Sequence, residues 1–152
     1  MNRDQFFKKV DSINDELINL RRHIHAHPEL SGLENQTAIL ISGFLKNLGW
    51  NVRESIGKTG VVADFGPLDK GIIGLRVDMD ALPINEETGL DYKSKIPGAM
   101  HACGHDGHTA MLLGAAKLLS SKKDFDGTVY FIFQPAEEGG GGGLAMIEDG
   151  LF

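Results

Sequence analysis

Residues 108–138 read HTAMLLGAAKLLSSKKDFDGTVYFIFQPAEE. Two periodicities meet in this stretch. From His108 to Leu119 apolar residues recur at helical spacing. From Gly127 to Pro135 a run rich in β-branched and aromatic residues ends at a proline, as a strand does. A helix feeding into an apolar strand is one unit of an α/β fold, and the remainder of the chain extends the alternation.

Upstream, GIIGLRVD (71–78) is a nearly continuous apolar run ending in acid, the habit of a buried strand. WNVRES (50–55) and GVVADF (60–65) read as two more strands, joined by the turn-rich IGKTG (56–60). Before them, Phe6, Phe7, Val10, Ile13, Leu17 and Leu20 form the stripe of an amphipathic helix over residues 4–26, closed by Pro28. Thr37 to Leu48 reads as a second helix stopped by Gly49. Residues 81–100 are irregular, broken by Pro83, Gly89, Pro97 and Gly98. After Glu138 the glycines make a loop, and LAMIEDG (144–150) is a short helix with Gly150 as its C-terminal cap. The expected architecture is an α/β/α sandwich with a mostly parallel sheet. No internal repeat interrupts it.

A chain of 152 residues is long enough for a domain with its own core, and 41% hydrophobic with 24% charged residues is ordinary for a globular protein. The formal net charge of −6 excludes a non-specific nucleic-acid binder, which needs a basic surface. A lone cysteine makes no internal disulfide and fits a reducing compartment. Residues 1–10 have no signal-peptide core, and no segment has the roughly 20 apolar residues of a membrane span. The expectation is a cytoplasmic protein with no membrane or nucleic-acid partner.

Open α/β sheets gather ligands outside the carboxyl ends of their strands. Three acidic or metal-friendly segments fall there: LRVDMD after one strand, QPAEE after another, and HACGHD just before a helix. The segment HACGHDGHTA (101–110) holds three of the six histidines and the only cysteine. Cys103 and His105, two apart with Gly104 between them, can aim a thiolate and an imidazole at one small volume, and both suit zinc or a similar ion. A packed polar loop with a buried thiol is the plain alternative. His108 fits a helix cap as well as a supporting role. Glu137 and Glu138 are adjacent on a loop and so point different ways. One can hold a metal while the other takes a proton from water, although a solvated acidic pair is the simpler reading. Asp78 and Asp80 alternate at a strand end and face opposite sides. His23, His25 and His27 fit helix-end packing. The glycine run is no phosphate cradle, because Leu144 stands where a P-loop needs lysine and a hydroxyl. A cysteine-nucleophile enzyme built on Cys103 would leave both glutamates idle.

The segments RRHIHAHPEL (21–30), RVDMDALPI (76–84), MHACGHDGHTAMLLGAA (100–116) and QPAEEGGGGGLAMIEDG (134–150) stand in an order that resembles the N-terminal part of the dinuclear-metal amidohydrolases. This group takes in hippurate hydrolase, N-acyl-amino-acid amidohydrolases and indole-3-acetyl-amino-acid hydrolases, and it is related to the zinc carboxypeptidases. The resemblance implies two divalent ions per complete site, zinc or manganese first and cobalt or nickel next. It implies Cys103, His105 and Glu138 as metal ligands, Glu137 as general base, and Asp80 as a catalytic-site support. Asp78 stands where more distant relatives carry a histidine ligand and receives no metal role.

The implied reaction is hydrolysis of the amide that links an acyl group to an amino acid, with that small molecule as substrate. The implied organisation makes residues 1–152 the N-terminal part of a zinc-peptidase-like catalytic domain. A lid or dimerisation domain, the remaining catalytic segment and two further histidine ligands would lie beyond Phe152. The chain alone is then expected to be inactive and to form homo-oligomers through exposed sheet edges. A catalytically dead remnant serving as a binding or assembly module is the alternative function.

Overall fold

The computed structural model describes residues 2–67, 69–122 and 125–152. Helix α1 (Arg3–Ala26) starts at a reciprocal cap, in which Asn2 Oδ1 accepts from the Gln5 N–H and Gln5 Oε1 accepts from the Asn2 N–H. Its stripe buries Ile13 and half-buries Val10, Leu17 and Leu20, but Phe6 and Phe7 stay in solvent. Helix α2 (Asn35–Asn47) is held at its start by Glu29, whose carboxylate accepts from the N–H groups of Gln36 and Thr37.

A hairpin of β1 (Asn51–Ile56) and β2 (Gly60–Phe65) follows, then β3 (Ile72–Asp78), helix α3 (His105–Ser120), β4 (Thr128–Gln134) and helix α4 (Gly142–Glu148). The four strands lie in the order β1-β2-β4-β3. Helices α2 and α3 cover one face, burying Ile41, Leu45, Leu113 and Ala116 against Val61, Phe131 and Phe133. Each fully buried phenylalanine contributes on the order of 2–3 kcal/mol. Trp50 closes this core, with its ring 4.6 Å from Phe131 and its Nε1–H donated to Ser120 at 2.7 Å. The other face is thinner: Met146 of α4 and Leu151 cover Val62 and Ile132.

The α/β/α architecture stands, but the sheet is not mostly parallel. Only β3 and β4 run parallel, while β1–β2 and β2–β4 are antiparallel. The reason is connection length. Three residues join β1 to β2, and a link that short forces a hairpin, whereas β3 reaches β4 through the irregular segment and α3. Strand β3 also departs from expectation. Its apolar sequence suited a buried strand, yet it forms an edge of this sheet, with Ile72, Ile73 and Leu75 exposed.

Candidate metal centre

Strands β3 and β4 are parallel, so their carboxyl ends lie side by side, and the start of α3 meets them there. His105 is the first residue of α3 and is buried. Its Nδ1 lies 2.9 Å from the Asp80 carbonyl oxygen. A carbonyl only accepts, so Nδ1 donates and the lone pair is left on Nε2. That atom faces Glu138 Oε1 at 3.9 Å and Glu137 Oε2 at 4.0 Å, both too long for hydrogen bonds.

Gly104, just before His105, sits at φ +93°, a left-handed turn that residues with a Cβ rarely adopt. The turn lets Cys103 and His105 approach the same volume. Ligand atoms of Cys103, His105 and Glu138 all lie within 4.8 Å of one another. Sulfur, nitrogen and oxygen donors at that spacing suit zinc and its first-row neighbours.

Asp80 supports two of the three. Its Oδ2 accepts from the Ser31 hydroxyl at 2.6 Å and from the Glu138 N–H at 2.9 Å, while its carbonyl holds His105. Burial acts to raise the Asp80 carboxyl, but the hydrogen bonds from Ser31 and the Glu138 and Glu137 amides prevail and keep it below its ordinary value. The Cys103 thiol moves upward. Its hydrogen bond to Glu138 is the main cause, followed by burial and the negative charges of Glu138, Glu137 and Asp78. A cation among these groups would reverse that effect. Buried oxygens Asp80 Oδ1 and Glu138 Oε1 have no hydrogen-bond partner, as expected of atoms that would meet an ion or its surroundings.

The two glutamates are less divergent than their adjacency suggested. Both face His105 Nε2, though Glu137 is the more exposed, its side chain 41% accessible against 20% for Glu138. Asp78 and Asp80 are not on opposite sides of a strand, because β3 ends at Asp78. Asp78, His105 and His108 form a second close group. There, however, Asp78 is already paired with Arg76.

Three features escaped the sequence reading. Glu34 is wholly buried and accepts from the Gly32 and Ala136 N–H groups, each at 2.8 Å, and from the Thr59 hydroxyl at 2.6 Å. It anchors Ala136, whose φ of +49° is strained for a residue with a side chain, directly before Glu137. His101 is buried with neither ring nitrogen bonded, and burial lowers it to about 4. The charge of Asp106 opposes that fall, and His25 adds to it. The third feature is His25 itself. His23 and His27 pack on each other at the helix end, their rings 4.7 Å apart, but His25 is buried among charges. Helical residues two apart point away from each other, so the trio could never act as one group.

The pattern described as Peptidase family M20/M25/M40 matches residues 74–152. The chain is 56% identical over 148 residues to hippurate hydrolase of Campylobacter jejuni, covering 95% of this chain and 38% of that one. It is 50% identical over 143 residues to N-acetyl-L-cysteine deacetylase of Bacillus subtilis, covering 93% and 34%. Among solved structures, the Bacillus subtilis YXEP protein, a dinuclear metal binding peptidase from the M20 family, superposes with a TM-score of 0.87 at 44% identity, covering 93% of this chain and 40% of that chain. The chain thus spans well under half the length of each of these relatives. Among the described residues no helix is long and apolar enough to cross a membrane.

Proposed function

Because the chain belongs to peptidase family M20/M25/M40, we propose that it is the N-terminal part of the catalytic domain of a metal-dependent amidohydrolase acting on N-acyl amino acids. The relatives named for hydrolysing hippurate and deacetylating N-acetyl-L-cysteine support this substrate class. The single observation that carries the reading is the convergence of Cys103, His105 and Glu138, with His105 Nε2 left free by the Asp80 carbonyl.

In this reading those three residues hold divalent cations, two in the complete site, with zinc or manganese as the favoured ions. The cations supply Lewis acidity that polarises the amide carbonyl and makes water a better nucleophile. Glu137, beside the donor set and open to solvent, accepts the proton of the attacking water. The water oxygen bonds to the carbonyl carbon, the C–N bond breaks, and Glu137 returns the proton to the leaving amine. Asp80 touches none of the reacting atoms. It holds His105 and the Glu138 backbone in place. A lid domain and further ligands would come from sequence beyond Phe152, and the exposed thiol of Cys103 suits the reducing cytoplasm.

The test is turnover of a panel of N-acyl amino acids by the full-length protein, with and without a chelator. Hydrolysis that disappears with the chelator and returns with manganese or zinc is expected. Stoichiometric metal binding without turnover of any panel member would instead favour a binding module.

A further inference from the structure

Near the end of α1, His25 turns inward and meets two carboxylates at once. Its Nδ1 lies 2.7 Å from Asp106 Oδ2 and its Nε2 3.2 Å from Glu86 Oε1. Ionised carboxylates only accept, so both bonds form together when the ring donates from both nitrogens. Arg21, one turn earlier on α1, places its Nε 2.7 Å from the same Asp106 oxygen. Glu86 in turn accepts from the Ser94 N–H at 2.6 Å and from the Thr88 hydroxyl. Tyr92 packs edge-on against His25 at 5.6 Å, with the Arg22 guanidinium 4.7 Å from its ring centre.

These contacts join three segments distant in sequence. Asp106 lies in the first turn of α3, next to His105. Glu86, Tyr92 and Ser94 belong to the segment that has no helix or strand of its own. That segment leaves the site at Asp80 and returns to it at Cys103. Backbone bonds hold it at Leu82 and Met100 and tie Lys95 to the end of α1, and His25 is where side chains join the segment, α1 and α3. The Asp80 carbonyl fixes the His105 ring, whereas Cys103, whose thiol meets only the Glu138 side chain, is exposed and separated from His105 by a left-handed glycine.

We propose that His25 is a positioning residue for the metal centre. With Glu86 and Asp106 it locks the 81–100 segment against the first turn of α3 and so sets the distance between the Cys103 thiolate and the His105 imidazole. It touches neither metal nor substrate. The proposal rests on the metal-holding role of Cys103, His105 and Glu138.

The experiment loads full-length apoprotein with Co²⁺ against a competing chelator and follows the thiolate-to-cobalt absorption band. His25→Gln is expected to weaken cobalt binding about 10- to 100-fold, the usual effect of losing a residue that orients a ligand, and to alter the thiolate band. Glu86→Gln, which keeps the shape and loses one charged contact, should shift both readouts less and in the same direction. It serves as the test if His25→Gln does not fold. Ile41→Val, on the buried face of α2, should lower the melting temperature while leaving affinity and spectrum as in the wild type. Unchanged affinity and spectrum in the folded His25 or Glu86 variant overturn the proposal. So does an equal loss of affinity in Ile41→Val, since destabilisation alone would then explain the effect. A wild-type protein with no thiolate band would sink the metal reading itself, and the positioning role with it.

Discussion

The backbone N–H of Glu138 donates to Asp80 Oδ2 at 2.9 Å, and this bond ties the segment after β3 to the segment after β4. Because the Asp80 carbonyl also accepts from His105, one residue sets the positions of two of the three proposed ligands.

Asp80→Asn cannot reproduce that arrangement. With the amide oxygen in the Oδ2 position, the amide nitrogen faces the His105 Nδ1–H, which lies 3.3 Å from Oδ1, and two donors meet. With the amide flipped, its nitrogen faces the Glu138 N–H and that bond is lost instead, although the Ser31 hydroxyl can turn to accept. In the full-length protein kcat/KM should fall about 10- to 100-fold, with weaker metal retention on dialysis. Wild-type kinetics in this variant would remove Asp80 from the supporting role.

Glu137→Gln should separate chemistry from metal binding. The substitution removes the proton acceptor and leaves Cys103, His105 and Glu138 intact. Metal content by elemental analysis should match the wild type while kcat drops about 10²- to 10⁴-fold. Loss of metal in parallel would make Glu137 a ligand rather than a base.

The glycines of the run differ sharply in the space around them. A Cβ on Gly142 would lie 1.8 Å from the Pro135 carbonyl oxygen, whereas at Gly139 nothing lies within 4 Å. Gly142→Ala should cost at least about 2 kcal/mol, as forced overpacking does. Gly139→Ala should stay within about 1 kcal/mol of the wild type. Urea unfolding of the two variants measures the contrast, and equal midpoints would refute it.

Glu86 should make the fold acid-sensitive. Burial acts to raise its carboxyl, but the Ser94 N–H, the Thr88 hydroxyl and His25 outweigh burial and lower it to about 2, from an ordinary value of 4.5. A depressed folded-state value means that the unfolded chain binds the proton more readily. The stability Glu86 contributes is therefore present above pH 4.5 and drains away as the pH falls toward 2. Between those limits the wild type should lose stability faster than Glu86→Gln. Parallel curves in urea titrations at pH 6 and pH 3 would rule this out.

The two sheet edges differ in how they meet solvent. β1 carries Arg53 and Glu54, charges that discourage pairing with another chain, while β3 presents Ile72, Ile73 and Leu75. The 152-residue chain should self-associate through β3. Light scattering should show oligomers that Ile73→Lys shifts toward monomer, and a wild-type monomer at high concentration would contradict it.

Much of this molecule is written locally. Short runs of β-branched and aromatic residues bounded by turn or proline signals mark β2 and β4, helical spacing marks α1 and α3, and Pro28 and Gly150 mark ends that the structure respects. The β1–β2 direction follows from their short link, but the antiparallel pairing of β2 with β4 was not legible, because it depends on partners rather than on the strand's own residues. The apolar run of β3 tells that it suits burial, not which neighbour covers it. Cys103 and His105 stood out as chemically distinctive residues on a loop, and only the resemblance to the amidohydrolases singled out Glu138 to join them. Glu34, His25 and Asp106 did not stand out, since a buried charge reads like a surface charge until its partners, far away in sequence, are known.

The mixed sheet also imposes an order in time. Asn51 pairs with Asp64 across a hairpin, whereas Ile72 pairs with Thr128 across the irregular segment and all of α3. Hairpins close in about 1–10 μs, and long-range pairing waits until intervening chain has been gathered in. Every proposed ligand hangs from the slow half: Cys103 and His105 at the head of α3, and Glu138 beyond β4. The hairpin contributes none. These donor groups therefore come together only with the long-range pairing of β3 and β4, after the hairpin has closed.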